Sequence, residues 1–373
     1  MSGVMESVFS LHSQTEISPA VVDATSPPDE WTRNFANKII VPYLKEHSNE
    51  FMELSLLRQK GWENPKGDKY FRVQRRNADQ NNEKNNVYFH NLMKDIAEEL
   101  HQIGNAFAIR RTQKGPPKIL DMCMAPGGFL EIAMRKNPGS QAVAFSLPVA
   151  CGGHKSRLPR TRNVDQRFLD ITMLASDMGA HEIPTDHPDA KNFLPQQFRP
   201  NQLFDLVICD GQVLRTHSRA SYRETVEARR LTVTQLALGL EHLNPGGTII
   251  VLLHKLEAWE TAKLVWTFAK FSSVKLVKPE RGHAKRSSFY MIASQVQSQH
   301  TEALQSVIKW KDIWQAATLG SEDDLHQLIW NEGPSAEDFI ANFGDDLVRL
   351  GKYVWKVQAD ALAKAPFIKS QDK

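Results

Sequence analysis

The residues best suited to chemistry lie in the stretch 118–131, which reads KILDMCMAPGGFLE. An apolar strand at 119–122 is followed by a turn containing Pro126, Gly127 and Gly128, and then by the start of a helix. Paired glycines remove side chains where a backbone must approach a ligand, and N–H groups at a helix start bind carboxylates or phosphates. The placement predicts a cofactor-binding turn, although Pro-Gly-Gly alone is also common in ordinary turns.

Two further groups follow apolar strands later in the chain. The strand 205–209 ends at Asp210 and then turns at Gly211, and the strand 249–253 is followed by Lys255. The carboxyl ends of parallel strands meet at one sheet edge, so we expect both groups to lie at that edge, with Asp210 as the strongest catalytic candidate. The alternative for Asp210 is a loop cap, a common role for an acid at a strand end.

The elements that must position these groups follow from the hydrophobic pattern. Apolar strands are predicted at 118–122, 142–147, 205–209, 249–253, 274–277 and 289–293, with helices near 128–135 and 225–243. Alternating strands and helices predict an α/β fold with a mostly parallel sheet covered on both faces.

The flanking regions are predicted to be helical, and they define the domain boundaries. Residues 1–28 are polar and predict a disordered tail. The region 29–86 predicts helices from about Trp31, with a kink or end at Pro42, and from 49 to 60, followed by a polar linker at 77–86. The sheet domain spans 87–295, and a C-terminal helical extension spans 296–373. The tryptophans of this extension recur at helical spacing, which predicts that they lie in the core.

Within the sheet domain, apolar residues recur every three or four positions from Tyr88 to Ile103, which predicts an amphipathic helix. This helix carries His90 and Lys94.

Composition limits the class of protein. The chain has 373 residues, 41% of them hydrophobic, which is enough for a substantial core. No apolar run approaches the roughly 20 residues needed to span a bilayer, and the first residues lack the pattern of a secretory signal. Three cysteines without zinc-ligand spacing favour packing roles in a reducing compartment. We therefore expect an intracellular protein, in the nucleus or the cytoplasm, without a membrane segment.

The turn lacks the spaced glycines of the dinucleotide fingerprint. Its pattern, Asp-x-x-x-Ala-Pro-Gly-Gly-Phe, instead resembles the S-adenosylmethionine (SAM) loop of the FtsJ-like ribose 2′-O-methyltransferases. The resemblance covers roughly residues 87–295 and implies a Rossmann-like SAM-dependent methyltransferase sheet with helical N- and C-terminal extensions.

The resemblance also implies cofactor-binding positions. Those in the turn are Ala125, Pro126, Gly127, Gly128 and Phe129. The next strand ends at Ser146, where nucleotide-binding folds often place an acid that holds ribose hydroxyls. Asp170 resembles the acid that contacts adenine in the family, and a helix cap or turn is the alternative for it.

The family's catalytic positions run Lys, Asp, Lys, Glu. Asp210 and Lys255 match the middle pair, although two additional residues precede Lys255. Lys94 resembles the first lysine, with His90 one helical turn earlier as a competitor. The final strand places Ser288 at the glutamate position, where Glu257 or Glu280 could substitute in space. The implied chemistry is in-line methyl transfer from SAM to a hydroxyl oxygen, and neither Asp210 nor Lys255 needs a metal for it.

The family resemblance implies an RNA substrate, and two groups of basic residues that would flank the mouth of the cleft suit a phosphate backbone. The alternative for these residues is a solvated face. They are Arg215, Arg219, Arg223, Arg229 and Arg230 in the first group, and Arg281, His283, Lys285 and Arg286 in the second. One alternative is a catalytically degenerate methyltransferase fold that acts as an RNA- or protein-binding module, which Ser146 and Ser288 suggest. The other is methylation of a small-molecule hydroxyl.

Overall fold

The computed structural model describes residues 28–79, 83–110, 115–330 and 333–369. The predicted tail therefore lies outside the described residues except for Pro28. The middle of the predicted linker, 80–82, also lies outside them.

The centre of the fold is a seven-stranded sheet. Its strands are β1 (Lys118–Asp121), β2 (Gln141–Ser146), β3 (Val164–Phe168), β4 (Phe204–Cys209), β5 (Leu243–His254), β6 (Ser273–Val277) and β7 (Ser288–Val296). Their order across the sheet is β3-β2-β1-β4-β5-β7-β6. The first five strands of this order are parallel, and β7 runs antiparallel to both of its neighbours. The predicted α/β, mostly parallel sheet is confirmed.

The strand order reverses at β1, which lies between β2 and β4. Ligands of open α/β sheets bind beyond the carboxyl ends of the strands at such a reversal. Asp121, the last residue of β1, pairs in register with Ile208 of β4. Asp210 therefore lies just past this point, at the edge where a ligand is expected.

Eleven α-helices are described. They are α1 (Pro28–His47), α2 (Asn49–Trp62), α3 (Pro65–Asp79), α4 (Glu83–Gly104), α5 (Gly128–Lys136), α6 (Glu227–Glu241), α7 (Trp259–Ala269), α8 (Thr301–Leu319), α9 (Glu322–Trp330), α10 (Ala336–Ala363) and α11 (Pro366–Lys369). No helix in these described ranges combines the length and the apolar character needed to cross a membrane.

The helices bury the two faces of the sheet in separate cores, because successive strand side chains point to opposite faces. On one face, Ile119 and Ile208 pack with apolar residues of α4 and α5. On the other face, Leu120 and Val207 pack with residues of α6, α7, α8 and α10.

All six predicted strands are confirmed, but β3 was not among them. Its sequence, VDQRF, lies at the sheet edge, contains only partly buried and exposed residues and has no apolar run. Helix α7 was missed as well. The helix α1 runs through Pro42 to His47, so the predicted helix end at this proline is wrong.

Helix α3 corrects the predicted linker, because α3 continues to Asp79 and α4 already begins at Glu83. The rings of Tyr70 and Phe71 pack against Phe367 of α11, with centroids 5.3 and 5.7 Å apart. The partner of α3 is therefore almost 300 residues away in sequence, which explains why the local pattern gave no signal.

The C-terminal helices pack on the rest of the molecule at two places. Helix α8 packs against α6, and α10 packs against α1, α2 and β6. Trp310 and Trp314 are buried, as predicted. The indole of Trp314 donates a 3.0 Å hydrogen bond to the carbonyl oxygen of Thr172, next to the candidate site. The division into domains at 87 and 296 stays a prediction.

We predict that Trp314→Ala lowers the free energy of unfolding by about 3–5 kcal/mol, the usual cost of truncating a fully buried large aromatic. Urea denaturation measures the effect. Ile308→Ala is the matched control, because Ile308 lies on the same helix and is 61% exposed. The control should stay within about 0.5 kcal/mol of the parent, and equal losses in both variants would contradict the packing of α8.

Candidate active site

The glycine turn connects β1 to α5 and is packed by the chain itself. Gly127 has φ 111°, a left-handed backbone that favours glycine. A Cβ atom on Gly127 would lie 2.5 Å from Cγ of Leu158, and one on Gly128 would lie 2.5 Å from the carbonyl oxygen of His90. Both glycines are therefore required by the close approach of Leu158 and of α4, and their role in cofactor binding stays a prediction.

The loop after β2 holds Leu158 in this position. The backbone N–H of Arg157 donates to the carbonyl oxygen of Pro126 at 2.9 Å. The same loop bonds to the segment after β4, where the hydroxyl of Thr216 donates to the carbonyl oxygen of Gly152 at 3.0 Å. The loop thus joins the glycine turn to the loop that follows Asp210.

The N-terminus of α5 begins in the buried glycine turn. Its N-cap residue is Gly127, and no side chain caps the helix. The first-turn N–H groups of a helix carry partial positive charge, which suits a carboxylate or a phosphate. Anion binding at this helix start stays a prediction.

Ser146 ends β2 and is buried, at 4% exposure. Its carbonyl oxygen accepts the N–H of Leu169, whereas its hydroxyl makes no hydrogen bond within the described part of the chain. The hydroxyl is therefore available to a ligand.

Asp170 is held by the protein. It is the N-cap of a short 3-10 helix (Ile171–Met173) and accepts the N–H of Thr172 at 3.0 Å. Its carboxylate also lies 2.6 Å from a guanidinium nitrogen of Arg223 and 3.2 Å from Nε2 of His217. Burial raises the pKa of Asp170, but the hydrogen bonds from His217 and Arg223 outweigh it and hold the pKa well below its usual range. The cap alternative is the role observed, and contact with adenine stays a prediction.

Arginines expected at the surface are part of this buried network. Arg223 is 4% exposed and binds Glu227 as well as Asp170. Arg230 is fully buried and bonds to Glu227 and to the hydroxyl of Thr318 on α8. These two arginines cannot flank a cleft, so that part of the surface prediction is wrong.

The second basic group is also partly internal. His283 and Arg286 are 3% and 6% exposed, whereas Arg281 is exposed and pairs with Asp95. The basic residues of this segment gave no indication of which side chains point inward.

Potential ligand atoms of Asp170, His217 and Glu227 lie within 4.8 Å of one another, a spacing that a metal could use. The guanidinium of Arg223 already binds both carboxylates. We therefore interpret the group as an ion-pair network.

Asp210 lies at the carboxyl end of β4 and is 4% exposed. The hydroxyl of Tyr290 donates to it at 2.8 Å. Burial raises the pKa of Asp210 well above its usual range and the nearby Asp121 adds to the rise, against the bond from Tyr290. The carboxyl group is therefore a strong proton acceptor once it is ionised.

The reach of Tyr290 follows from the strand register. Cys209 pairs with Val251, which places Asp210 level with Leu252, and Leu252 pairs with Tyr290. Tyr290 therefore spans β5, roughly two strand spacings or about 10 Å. Its ring also packs against Phe129 of α5, 5.7 Å between centroids, and so connects the acid to the glycine turn.

Asp121 is the second buried acid of this edge, at 1% exposure. Burial raises its pKa to about 7, although the N–H of Cys123 donates to Oδ1. The other oxygen, Oδ2, is buried and accepts no hydrogen bond from any described residue. A ligand amine or hydroxyl could supply the missing donor.

Among the described residues, Lys255 forms no ion pair with Asp210. The predicted contact is therefore not formed. Strand β5 continues to His254, and Lys255 follows it with φ 45°. Because Asp210 is level with Leu252, Lys255 lies three residues farther along, about 10 Å at the rise of a strand. Tyr290 occupies the place beside Asp210 that we expected Lys255 to take.

Lys94 and His90 share a partner that sequence reasoning missed. The ammonium of Lys94 lies 2.6 Å from one oxygen of Glu131 on α5, and Nε2 of His90 lies 3.1 Å from the other. The two candidates are four residues apart on one helix face, so both reach the same carboxylate. The assignment of Lys94 as a catalytic lysine stays a prediction.

Ser288 is fully buried, and its hydroxyl lies 2.7 Å from Nδ1 of His283. Neither suggested substitute for a glutamate bonds to it. Glu257 binds Arg58 of α2 at 2.5 Å, and Glu280 is exposed.

The comparisons with known proteins agree with this fold. A sequence model of the FtsJ-like methyltransferases matches residues 97–296. No curated protein matches the chain significantly.

Among solved structures, three similar ones are methyltransferases. Human methyltransferase-like protein 13 in complex with SAH is 12% identical over 66% of this chain and 90% of its own, with a TM-score of 0.29. An O-methyltransferase family protein from Burkholderia thailandensis is 12% identical over 69% and 72%, with a TM-score of 0.32. The N-methyltransferase NodS from Bradyrhizobium japonicum is 14% identical over 58% and 98%, with a TM-score of 0.32. Similarities at this level carry no argument about the site.

The environment of His254 generates a stability prediction. Burial lowers the pKa of His254 to about 3, and the cations Lys278, Arg286 and Lys255 add to the shift. Between pH 6.5 and about 3 the unfolded chain binds a proton here that the folded chain does not. The contribution of this histidine to stability is therefore lost as the pH falls below 6.5.

We predict that the free energy of unfolding falls less steeply between pH 6.5 and 5 in His254→Gln than in the parent. The difference in slope should approach, at most, about 1.4 kcal/mol per pH unit. Urea denaturation at several pH values measures it, and the exposed His181→Gln is the control. Parallel curves for parent and His254→Gln would contradict a buried, neutral imidazole.

Proposed function

Because the chain belongs to the FtsJ-like methyltransferase family, we propose that it methylates a ribose 2′-hydroxyl of RNA with SAM as the methyl donor. The observation that carries the proposal is the buried Asp210 at the end of β4, tied by Tyr290 to the helix that starts at the glycine turn. When bound, SAM supplies an electrophilic methyl group on a sulfonium.

The residues of the edge fit this cofactor. The uncapped start of α5 would receive its carboxylate. Oδ2 of Asp121, which lacks a donor among the described residues, would accept its ammonium group. The free hydroxyl of Ser146 would bond to its ribose, more weakly than a carboxylate would. Asp170 is already engaged by Arg223 and would contribute mainly by shaping the loop.

Asp210 would orient the attacking hydroxyl and accept its proton. Its raised pKa makes it a better base than an exposed aspartate, and Tyr290 fixes its direction. Lys94 and Lys255 would add positive charge around the developing alkoxide. Orientation of the reacting groups lowers the reaction barrier by roughly 7–11 kcal/mol. One acid–base group contributes less, since it accelerates the reaction by roughly 10²- to 10⁴-fold. Loss of the family glutamate at Ser288 is therefore compatible with turnover.

RNA as the substrate rests on the family and on the exposed part of the basic segments, such as Arg215. A small-molecule hydroxyl is the competing substrate. RNA binding through phosphates weakens steeply with salt, whereas the binding of a neutral small molecule does not.

We predict that Asp210→Asn lowers methyl transfer to RNA at least about 100-fold, because the amide cannot accept the proton. Transfer of labelled methyl from SAM to a short RNA measures the effect. Asp346→Asn is the control, because Asp346 is half exposed on α10. A thermal melt should show that both variants fold.

The same assay identifies the acceptor. RNA with a 2′-deoxy nucleotide at the modified position should accept no methyl group. Full activity of Asp210→Asn would reject the role of the carboxylate, and labelling of the 2′-deoxy RNA would reject the ribose hydroxyl. SAM binding without turnover on any RNA would favour the degenerate binding module.

A further inference from the structure

A mostly buried ion pair connects the turn that carries Lys255 to the helical extensions. A guanidinium nitrogen of Arg58 on α2 lies 2.5 Å from Oε1 of Glu257, and the two side chains are 13% and 12% exposed. The other terminal nitrogen of Arg58 donates to Oε1 of Gln358 on α10 at 2.9 Å, and Gln358 is buried. Arg58 therefore joins both extensions to a residue only two positions after Lys255.

Residues 255–258 form a hydrogen-bonded turn between β5 and α7. The N–H of Ala258 donates to the carbonyl oxygen of Lys255 at 2.8 Å, and the N–H of Lys255 donates to the carbonyl oxygen of Ser287 at 3.1 Å. Lys255 has φ 45°, a positive value that is uncommon for a residue other than glycine. Such a conformation persists only where the surrounding structure holds it. The turn therefore depends on its anchors.

The two middle residues of the turn provide further anchors. Leu256 is 1% exposed and packs in the core that α7 and α10 share. Glu257 accepts the bond from Arg58, whereas its other oxygen, Oε2, is buried and accepts no hydrogen bond from any described residue. A buried carboxylate that loses its cation is costly, so removal of Arg58 would drive Glu257 toward water. Because Lys255 belongs to the same four-residue turn, it would move with Glu257.

The ion pair is separate from the packing that docks α2 on α10. The rings of Phe51 and Trp355 lie 5.1 Å apart between these two helices, and both side chains are buried. Both helices also lie outside residues 97–296, which match the family model. The contact of Arg58 with Glu257 is thus a contribution of the extensions to the sheet edge, and it can be changed while the helices remain docked.

We propose that Arg58 is a positioning residue that, through Glu257, holds Lys255 where its ammonium faces the hydroxyl to be methylated. This inference rests on the proposed function, in which Lys255 adds positive charge around the developing alkoxide. Stabilisation of that charge acts in the transition state and requires a fixed geometry. Loss of Arg58 should therefore lower kcat and leave the KM for RNA and for SAM nearly unchanged.

Methyl transfer by the full chain measures this effect. Arg58→Met should lower kcat at least about tenfold, because a small misplacement of a reacting group is costly. Arg58→Lys should retain most of the activity, since an ammonium can still pair with Glu257. Lys255→Met should lower kcat as well, and Arg58→Met should add no further loss in that background, because both changes act through one group. Losses that add in the double variant would overturn the proposal.

Two further variants separate positioning from a general loss of folding. Phe51→Leu weakens the packing of α2 on α10 but retains the ion pair, so it should lower the melting temperature without lowering kcat. The double variant Arg58→Met, Glu257→Met replaces the buried pair by apolar side chains, which often preserves stability. It should melt near the parent and keep the low kcat of Arg58→Met. A kcat that follows the melting temperature in these variants would overturn the proposal.

Chemical labelling of Lys255 provides a readout that does not require activity. An N-hydroxysuccinimide ester acetylates accessible amines, and mass spectrometry gives the rate at each lysine. Lys255 is partly exposed, and Arg58→Met should raise its rate at least about threefold because the turn opens more readily. Lys356 is the matched control, because it is 63% exposed on α10 and should react equally in both proteins.

The labelling also separates this inference from the proposed function. Equal labelling of Lys255 in the parent and in Arg58→Met would overturn the positioning role. A chain whose Lys255 labelling depends on Arg58, but which transfers no methyl group to any RNA, would support the positioning of Lys255 and reject the proposed function.

Discussion

The burial of two carboxyl groups side by side is the constraint on which the candidate site depends. Asp121 ends β1, Asp210 directly follows the neighbouring strand β4, and both side chains are almost inaccessible. Burial raises the pKa of both carboxyl groups, and the charge of Asp121 raises the pKa of Asp210 further. Tyr290 supplies a hydrogen bond to one of them across β5. The hairpin that carries Tyr290 is therefore part of the site, although it follows Asp210 by 80 residues.

A second electrostatic network connects the site to the helical extension. Glu227 binds Arg223 and Arg230, and Arg223 also binds Asp170. Through Arg230 and Thr318 the network reaches α8, which itself bonds to Thr172 through Trp314. Buried ion pairs of this kind contribute little net stability, but the loss of one partner is costly because the other charge remains buried. The network therefore fixes the loop after β3 in one arrangement relative to α6 and α8.

The sequence predicted the parts of this structure whose information is local. Apolar runs placed six strands, and the strand-glycine pattern placed Asp210 at the correct edge. The edge strand β3 and the packing of α3 were missed because their signals are polar or depend on distant partners. In the site, Glu131 and the reach of Tyr290 were missed because they depend on which side chains face each other. The expected contact of Lys255 with Asp210 failed for a related reason, since β5 extends farther than its apolar core. Arg223 and Arg230 show that charge counts do not separate an exposed basic patch from an internal ion-pair network.

The protonation of Asp210 shows whether a buried acid lies at the centre of the candidate site. Carboxyl-carbon NMR of the chain labelled at aspartate gives a titration curve for each group, and the Asp210 signal is the one absent from the asparagine variant. We predict that this carboxyl titrates well above its ordinary value of 3.8, and that Tyr290→Phe raises its pKa further, since the bond from Tyr290 lowers it. A carboxyl that titrates at or below 3.8, unmoved by the loss of the tyrosine hydroxyl, would contradict a buried acid held by Tyr290 at the centre of the site.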